Sequence, residues 1–134
     1  MDIAQSYSMT VAALGALAVL MYCQVLIVDV LGLRARHVPG SQVPADHNDP
    51  LFRAGRTVAN TNESIAVFIL GVLFCVFSGA SANATGYAAW GFVLARLLYA
   101  FCYYLNAQLL RSVMFGLSML AIAVLLVIGF SAAL

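Results

Sequence analysis

The stretch "RTVANTNESIAVFILG", Arg56 to Gly71, sets an arginine, two asparagines and a glutamate at the mouth of a long apolar run. Its reading decides the fold, because after Glu63 no charged residue occurs from Ser64 to Ala95. About 20 apolar residues suffice to cross a bilayer as a helix, so this run is too long for one crossing. It contains "SGASANATG", Ser78 to Gly86, a small polar patch that reads as a turn and divides the run into two spans.

The same criterion works outward in both directions. No charge occurs from Ile3 to Val28 or from Ser112 to Leu134. The expected helices are about 7–31, 50–78, 84–106 and 110–132, with a loop of about 32–49, all in a single domain covering 1–134. The chain is 64% hydrophobic, against roughly half for a soluble domain, and its mean hydropathy is +1.01. The fold class is therefore all-α, an integral, multi-pass membrane bundle of four helices.

Four spans place both termini on one side. The loop "GLRARHVPGSQVPADHNDPLFRAGR" holds Arg34, Arg36, Arg53 and Arg56, whereas the turn near 78–86 holds no base. By the positive-inside rule the first loop is cytoplasmic and both termini lie opposite. "MDIAQSYS" carries an acid and no base, and the apolar run after it exceeds a signal-peptide core, so no cleavage is expected. Cys23, Cys75 and Cys102 all lie in expected spans without a CxxC pair and read as small apolar packing residues. No repeat, Gly-rich phosphate loop or nucleic-acid patch is present.

All six basic residues are arginine. Arginine stays charged and offers a planar fork of donors that grips carboxylates bidentately. Asp49 and Pro50 in "NDPLF" form a helix start, N-cap followed by first helical position. At 100° per residue, Arg56, Asn60 and Glu63 fall within an arc of about 60°, with Arg53 at its edge. Glu63 lies about 20 Å along this helix, where an ionised carboxylate is costly unless paired. Arg96 on the third span, at comparable depth in an antiparallel neighbour, is the expected partner. In "ARLLYAFCYYLNAQLLRS", Arg96, Tyr99 and Tyr103 share a face at i, i+3 and i+7.

A structural reading of these groups is an ion pair that joins two helices, with tyrosines as interface anchors. A functional reading follows from the surplus of donors, since Arg56, Asn60, Tyr103 and Arg111 exceed what one carboxylate uses; they fit an anionic ligand. Arg111 and Ser112, at the start of the fourth span, could hold an anion or stabilise a thiolate. Asp29 is expected to pair locally with Arg34 or Arg36. His37 and His47 lack further ligands at metal spacing, so no metal site is expected. No Ser/His/Asp set is present, and covalent catalysis by the chain is disfavoured.

"RTVANTNESIAVF" resembles the second-helix signature of the membrane-associated proteins in eicosanoid and glutathione metabolism: arginine, asparagine four on, glutamate three further. "ARLLYAFCYYLNAQLLRS" is similar to the family's third-to-fourth helix segment. The resemblance covers essentially the whole chain. It implies a left-handed four-helix subunit assembled as a homotrimer, with glutathione as co-substrate bound in clefts between neighbours near the cytoplasmic face. It also implies attachment of the thiol to lipophilic electrophiles entering from membrane lipid, or peroxide reduction. Carried over by position, Arg56, Asn60, Glu63, Tyr99 and Tyr103 contact glutathione, Arg34 or Arg36 reaches in from a neighbouring subunit, and Arg96 lines the cleft or supports Glu63. Arg111 stabilises the thiolate, with Ser112 as the second catalytic candidate. Ala59, Leu105 and Gln108 stand where some members carry basic residues, which points away from the specialised eicosanoid synthases. The alternatives are a non-enzymatic lipid-binding member of the same fold and a small multidrug transporter, whose membrane glutamate normally belongs to the first helix.

Overall fold

The computed structural model describes residues 3–134 and is all-helical; Asp2, the acid of the leading segment, lies outside the described residues. A single turn, α1 (Ile3–Ser6), precedes four long helices, α2 (Ser8–Arg34), α3 (Pro50–Phe77), α4 (Ala82–Tyr104) and α5 (Gln108–Ala133). The long helices correspond to the four expected spans with ends shifted by a few residues. Three of them, α2, α3 and α5, are long and apolar enough to cross a membrane. α4 falls outside that set; it carries Arg96, Tyr99 and Tyr103 on its buried side and Tyr87 on its exposed one.

The connections follow from local chemistry. Asp49 caps α3 by accepting from the Leu51 amide at 2.9 Å, and Pro50 occupies the first turn, where its missing N–H is not needed. The turn at 78–81 is shorter than expected. Gly79 takes φ +69°, open to a residue without a Cβ, and Ser81 then caps α4 through the Ala84 amide. Asn106, at φ +58°, turns the chain between α4 and α5; asparagine tolerates this left-handed region better than most residues.

α3 and α4 form the central pair, each packing against the other and against both α2 and α5. Phe68 and Phe92 stack across them, ring centroids 4.1 Å apart and 10° from parallel. Around this stack lie Ala13, Leu17, Val72, Cys75, Ala89, Ile122 and Leu125, all buried. Two glycines permit close approach. Met9 fills the space a Cβ would need at Gly86, and the Phe74 ring does so at Gly129, the small-residue contact by which helices pack in lipid. The Tyr7 hydroxyl donates to the Ala80 carbonyl at 2.6 Å and ties the start of α2 to the 78–81 turn.

Of the cysteines, Cys75 is a buried packing residue whose thiol donates to the Leu125 carbonyl; Cys102 is half-buried, and Cys23 is exposed on α2 rather than packed. α2 is apolar nearly all round and buries only Thr10, Ala13, Leu17 and Gln24. The rest of its surface, including Val19, Tyr22, Val25 and Leu26, faces outward, as lipid contact requires.

Candidate functional site

The buried face of α3 is not the face marked by its charges. Leu51, Ala54, Thr57, Thr61, Ser64 and Phe68 turn inward. That line stands about 100° around the helix from Arg56, Asn60 and Glu63. The inward hydroxyls need no partner from another helix, because each donates to a carbonyl of its own: Thr57 to Arg53 at 2.9 Å, Thr61 to Thr57 at 3.0 Å, Ser64 to Thr61 at 3.1 Å. Arg56 and Glu63 are exposed, and Asn60 sits half-buried at the seam.

On α4 the expected face is the buried one. Arg96 is 0% exposed, with Tyr99 and Tyr103 buried above it along the same side. The expected Glu63–Arg96 pair is absent; Arg96 Nη1 instead donates to Asn60 Oδ1 at 2.6 Å. The register of α3 against α4 brings the asparagine level with the guanidinium, leaving the glutamate one turn further on, about 4.5 Å along the axis. A neutral amide takes the hydrogen bond while aromatic faces supply the remaining stabilisation. The Arg96 carbon Cζ lies 5.4 Å from the Phe92 and Tyr99 ring centroids and 5.3 Å from that of Phe115, within cation–π range. Its Nε and Nη2 remain buried without partners, so the donors of this cation outnumber the acceptors around it.

Asn60, Tyr99, Tyr103, Arg111, Ser112 and Phe115 line an open cavity of about 220 Å³ where α3, α4 and α5 meet. Arg111 stands in the first turn of α5, half-buried, its Cζ 4.6 Å over the Tyr103 ring. A cation at a helix N-terminus opposes the helix dipole. The free amides of that turn and the guanidinium together attract an anion. Ser112 is exposed and its hydroxyl donates back to the Gln108 carbonyl at 3.2 Å. Neither Tyr99 nor Tyr103 uses its hydroxyl in a hydrogen bond among the described residues, so the cavity wall is rich in unused donors and poor in acceptors.

Glu63 lines a smaller adjoining cavity of about 160 Å³ with Asn60, Ser64, Val67, Phe115, Met119 and Ile122. Asn60 and Phe115 belong to both cavities and form the partition between them. Arg34 and Arg36 are exposed, at and just beyond the end of α2, and the chain does not bring them or Arg56 to the cavity. Asp29 forms no ion pair with Arg34 or Arg36, contrary to expectation; it lines a separate cavity of about 590 Å³ with Val28, Gly32, His37 and Leu51.

Sequence reasoning missed two neighbours of the site. Phe115 follows Arg111 by four residues and so lies on its face of α5, a spacing that was available to find it. His47 gives no local signal. It reaches the site because Arg53 Nη1 holds its carbonyl at 2.7 Å and its ring packs edge-on against Phe52, centroids 5.1 Å apart.

These features define an all-helical integral membrane protein with a polar cleft, lined by Arg111 and backed by Arg96, at one end of its helices. The chain belongs to the MAPEG family, whose model matches residues 10–131. No curated protein matches the chain.

Proposed function

We propose that the chain is a glutathione-dependent membrane transferase, with peroxidase chemistry open to the same site. The observation that carries this reading is the convergence of Asn60, Tyr99, Tyr103, Arg111 and Ser112 on one cavity, with Arg96 buried behind it holding two unpartnered donors. Glutathione carries two carboxylates, one amine and a thiol, so it needs several cationic donors and one acid. The donor surplus fits the carboxylates, and Glu63 in the adjoining cavity suits the amine.

Arg111 is the group assigned to the thiol. A free thiol of pKa about 8.5 is mostly protonated at neutral pH, and a nearby guanidinium shifts it toward the nucleophilic thiolate. The proton leaves to water, the thiolate sulfur forms its bond to the electrophilic carbon, and the leaving group departs with its electron pair. Tyr99 and Tyr103 present hydroxyls for orienting the peptide. Ser112, already bonded to its own helix, is the weaker catalytic candidate.

All four long helices cross the membrane in this reading, with the Arg-bearing loop cytoplasmic and both termini opposite. The subunits assemble as a left-handed, four-helix homotrimer. Support comes from the cleft being open on one side and from Arg34, Arg36, Arg56 and Glu63 standing exposed on the single chain, which leaves them available to a neighbour. A hydrophobic electrophile then reaches the thiolate from lipid.

The test is calorimetric titration of glutathione into detergent-solubilised protein, followed by conjugation of a chlorinated nitrobenzene. Binding with turnover that collapses in Arg111→Ala supports the transferase. Binding without turnover supports the non-enzymatic lipid-binding alternative, and no binding sinks the cofactor and mechanism together. Dye efflux dependent on Glu63 would instead revive the transporter.

A further inference from the structure

The loop between α2 and α3 ends in "ADHNDP", and His47 within it is drawn onto the far side of the cavity's cation. Its Nδ1 stands 3.4 Å from Arg111 Nη1, and its ring lies 6.2 Å, centroid to centroid, from Tyr103. The same Arg111 guanidinium covers the Tyr103 ring on its other approach, at 4.6 Å. Arg111 is therefore gripped between an aromatic face on α4 and an imidazole nitrogen on the loop. The imidazole is itself fixed, by Arg53 on its carbonyl at 2.7 Å and by the Asp46 turn that accepts from the Asn48 amide at 2.8 Å.

We infer that His47 is a positioning residue for Arg111: its Nδ1 accepts from the guanidinium and holds it over the cavity, so that the loop sets the geometry of thiolate stabilisation. The inference rests on the glutathione reading above. His47 does not line the cavity and takes no proton from the thiol, which still leaves to water. The charged and titratable groups around the ring are Arg111 on α5 and Tyr103 on α4, with Arg53 of α3 on its carbonyl and Asp46 and Asp49 flanking it in the loop.

The experiment is steady-state conjugation by the whole chain in detergent, with kcat and KM for glutathione determined separately and glutathione binding measured in parallel. His47→Phe keeps a ring and removes the acceptor; His47→Asn keeps an accepting oxygen near the Nδ1 position. The expected result is a fall in kcat of about tenfold in His47→Phe, the scale of a hydrogen bond to a charged group, with KM for glutathione little changed. His47→Asn keeps most of the turnover. Unchanged kcat in His47→Phe overturns the inference, as does a fall in His47→Asn equal to that in His47→Phe. Should His47→Phe fail to fold, His47→Gln, whose oxygen lies nearer the Nε2 position, replaces it, and full turnover there is equally fatal. Binding with indifferent variants sinks this inference alone, whereas a wild type that binds no glutathione removes the functional reading and this inference with it.

Discussion

Phe68 and Phe92 meet ring on ring between α3 and α4, and from that stack the two helices differ in chemistry in opposite directions. Toward the 78–81 turn the contacts are Val72, Cys75, Ala89 and Leu125, with Gly86 and Gly129 drawing helices close. Toward the first loop the same helices carry Asn60, Arg96, Tyr99 and Tyr103, and α5 and the loop add Arg111 and His47. The turn-side half is held by shape and contains no charged residue in its helical segments. The loop-side half is held by one short hydrogen bond, several cation–π contacts and a loop clasp, and retains donors it does not use. Apolar packing and unused hydrogen-bonding capacity are thus divided along the helix axis, with the aromatic stack as the border.

The comparison breaks first at the border. Phe68→Ala removes a ring that is fully buried and leaves a void, with an expected loss of about 4 kcal/mol. Reversible denaturation in mixed detergent measures it, and a loss below about 1 kcal/mol would show that the turn-side half does not depend on the stack. Next is Asn60→Leu, which strips the short hydrogen bond from a fully buried guanidinium. An uncompensated buried charge costs about 3 kcal/mol. The double variant with Arg96→Met should recover most of this; if it is no more stable than Asn60→Leu alone, the Asn60–Arg96 contact is not what holds the loop-side half.

Arg111→Ala comes third and separates function from folding. Turnover is expected to fall about a hundredfold, the scale of one lost electrostatic stabiliser, while the denaturation midpoint hardly moves because Arg111 is half-buried at a helix start. Equal losses of stability and activity would place Arg111 in the scaffold instead. The smallest effect belongs to Glu63→Gln. Exposed and without an ion pair among the described residues, Glu63 should contribute less than about 0.5 kcal/mol to the stability of the chain. A raised KM for glutathione with unchanged kcat would assign it to the ligand amine, and a large stability loss would restore a structural role.

The four long helices were legible because charge gaps and the Ser78 to Gly86 patch report directly on what lipid excludes; the single turn α1 was not. Asp49 and Pro50 marked the start of α3 through local hydrogen bonding alone. The inward side of α4 was also legible, since Arg96, Tyr99 and Tyr103 share one face and a cation within the membrane seeks shelter from lipid. On α3 the expected meeting of the two polar stripes occurs at Asn60, which bonds Arg96, and not at Glu63. The buried line of the helix was not legible, because threonine and serine hydroxyls satisfied by their own helix bury at small cost, and Thr57, Thr61 and Ser64 take the interior of the chain while Arg56 and Glu63 stay exposed.

What the sequence determined by itself is the set of helices, the membrane setting and the inventory of groups that form the cleft, all consequences of burial chemistry acting within one element. The tertiary structure decided which of those groups meet. Axial register chose Asn60 over Glu63 as the acceptor for Arg96, and the path of a 15-residue connection, from Ala35 to Asp49, brought His47 to Arg111. Both outcomes depend on how side chains from separate helices pack, and packing is a property of pairs of surfaces that no single stretch of sequence carries.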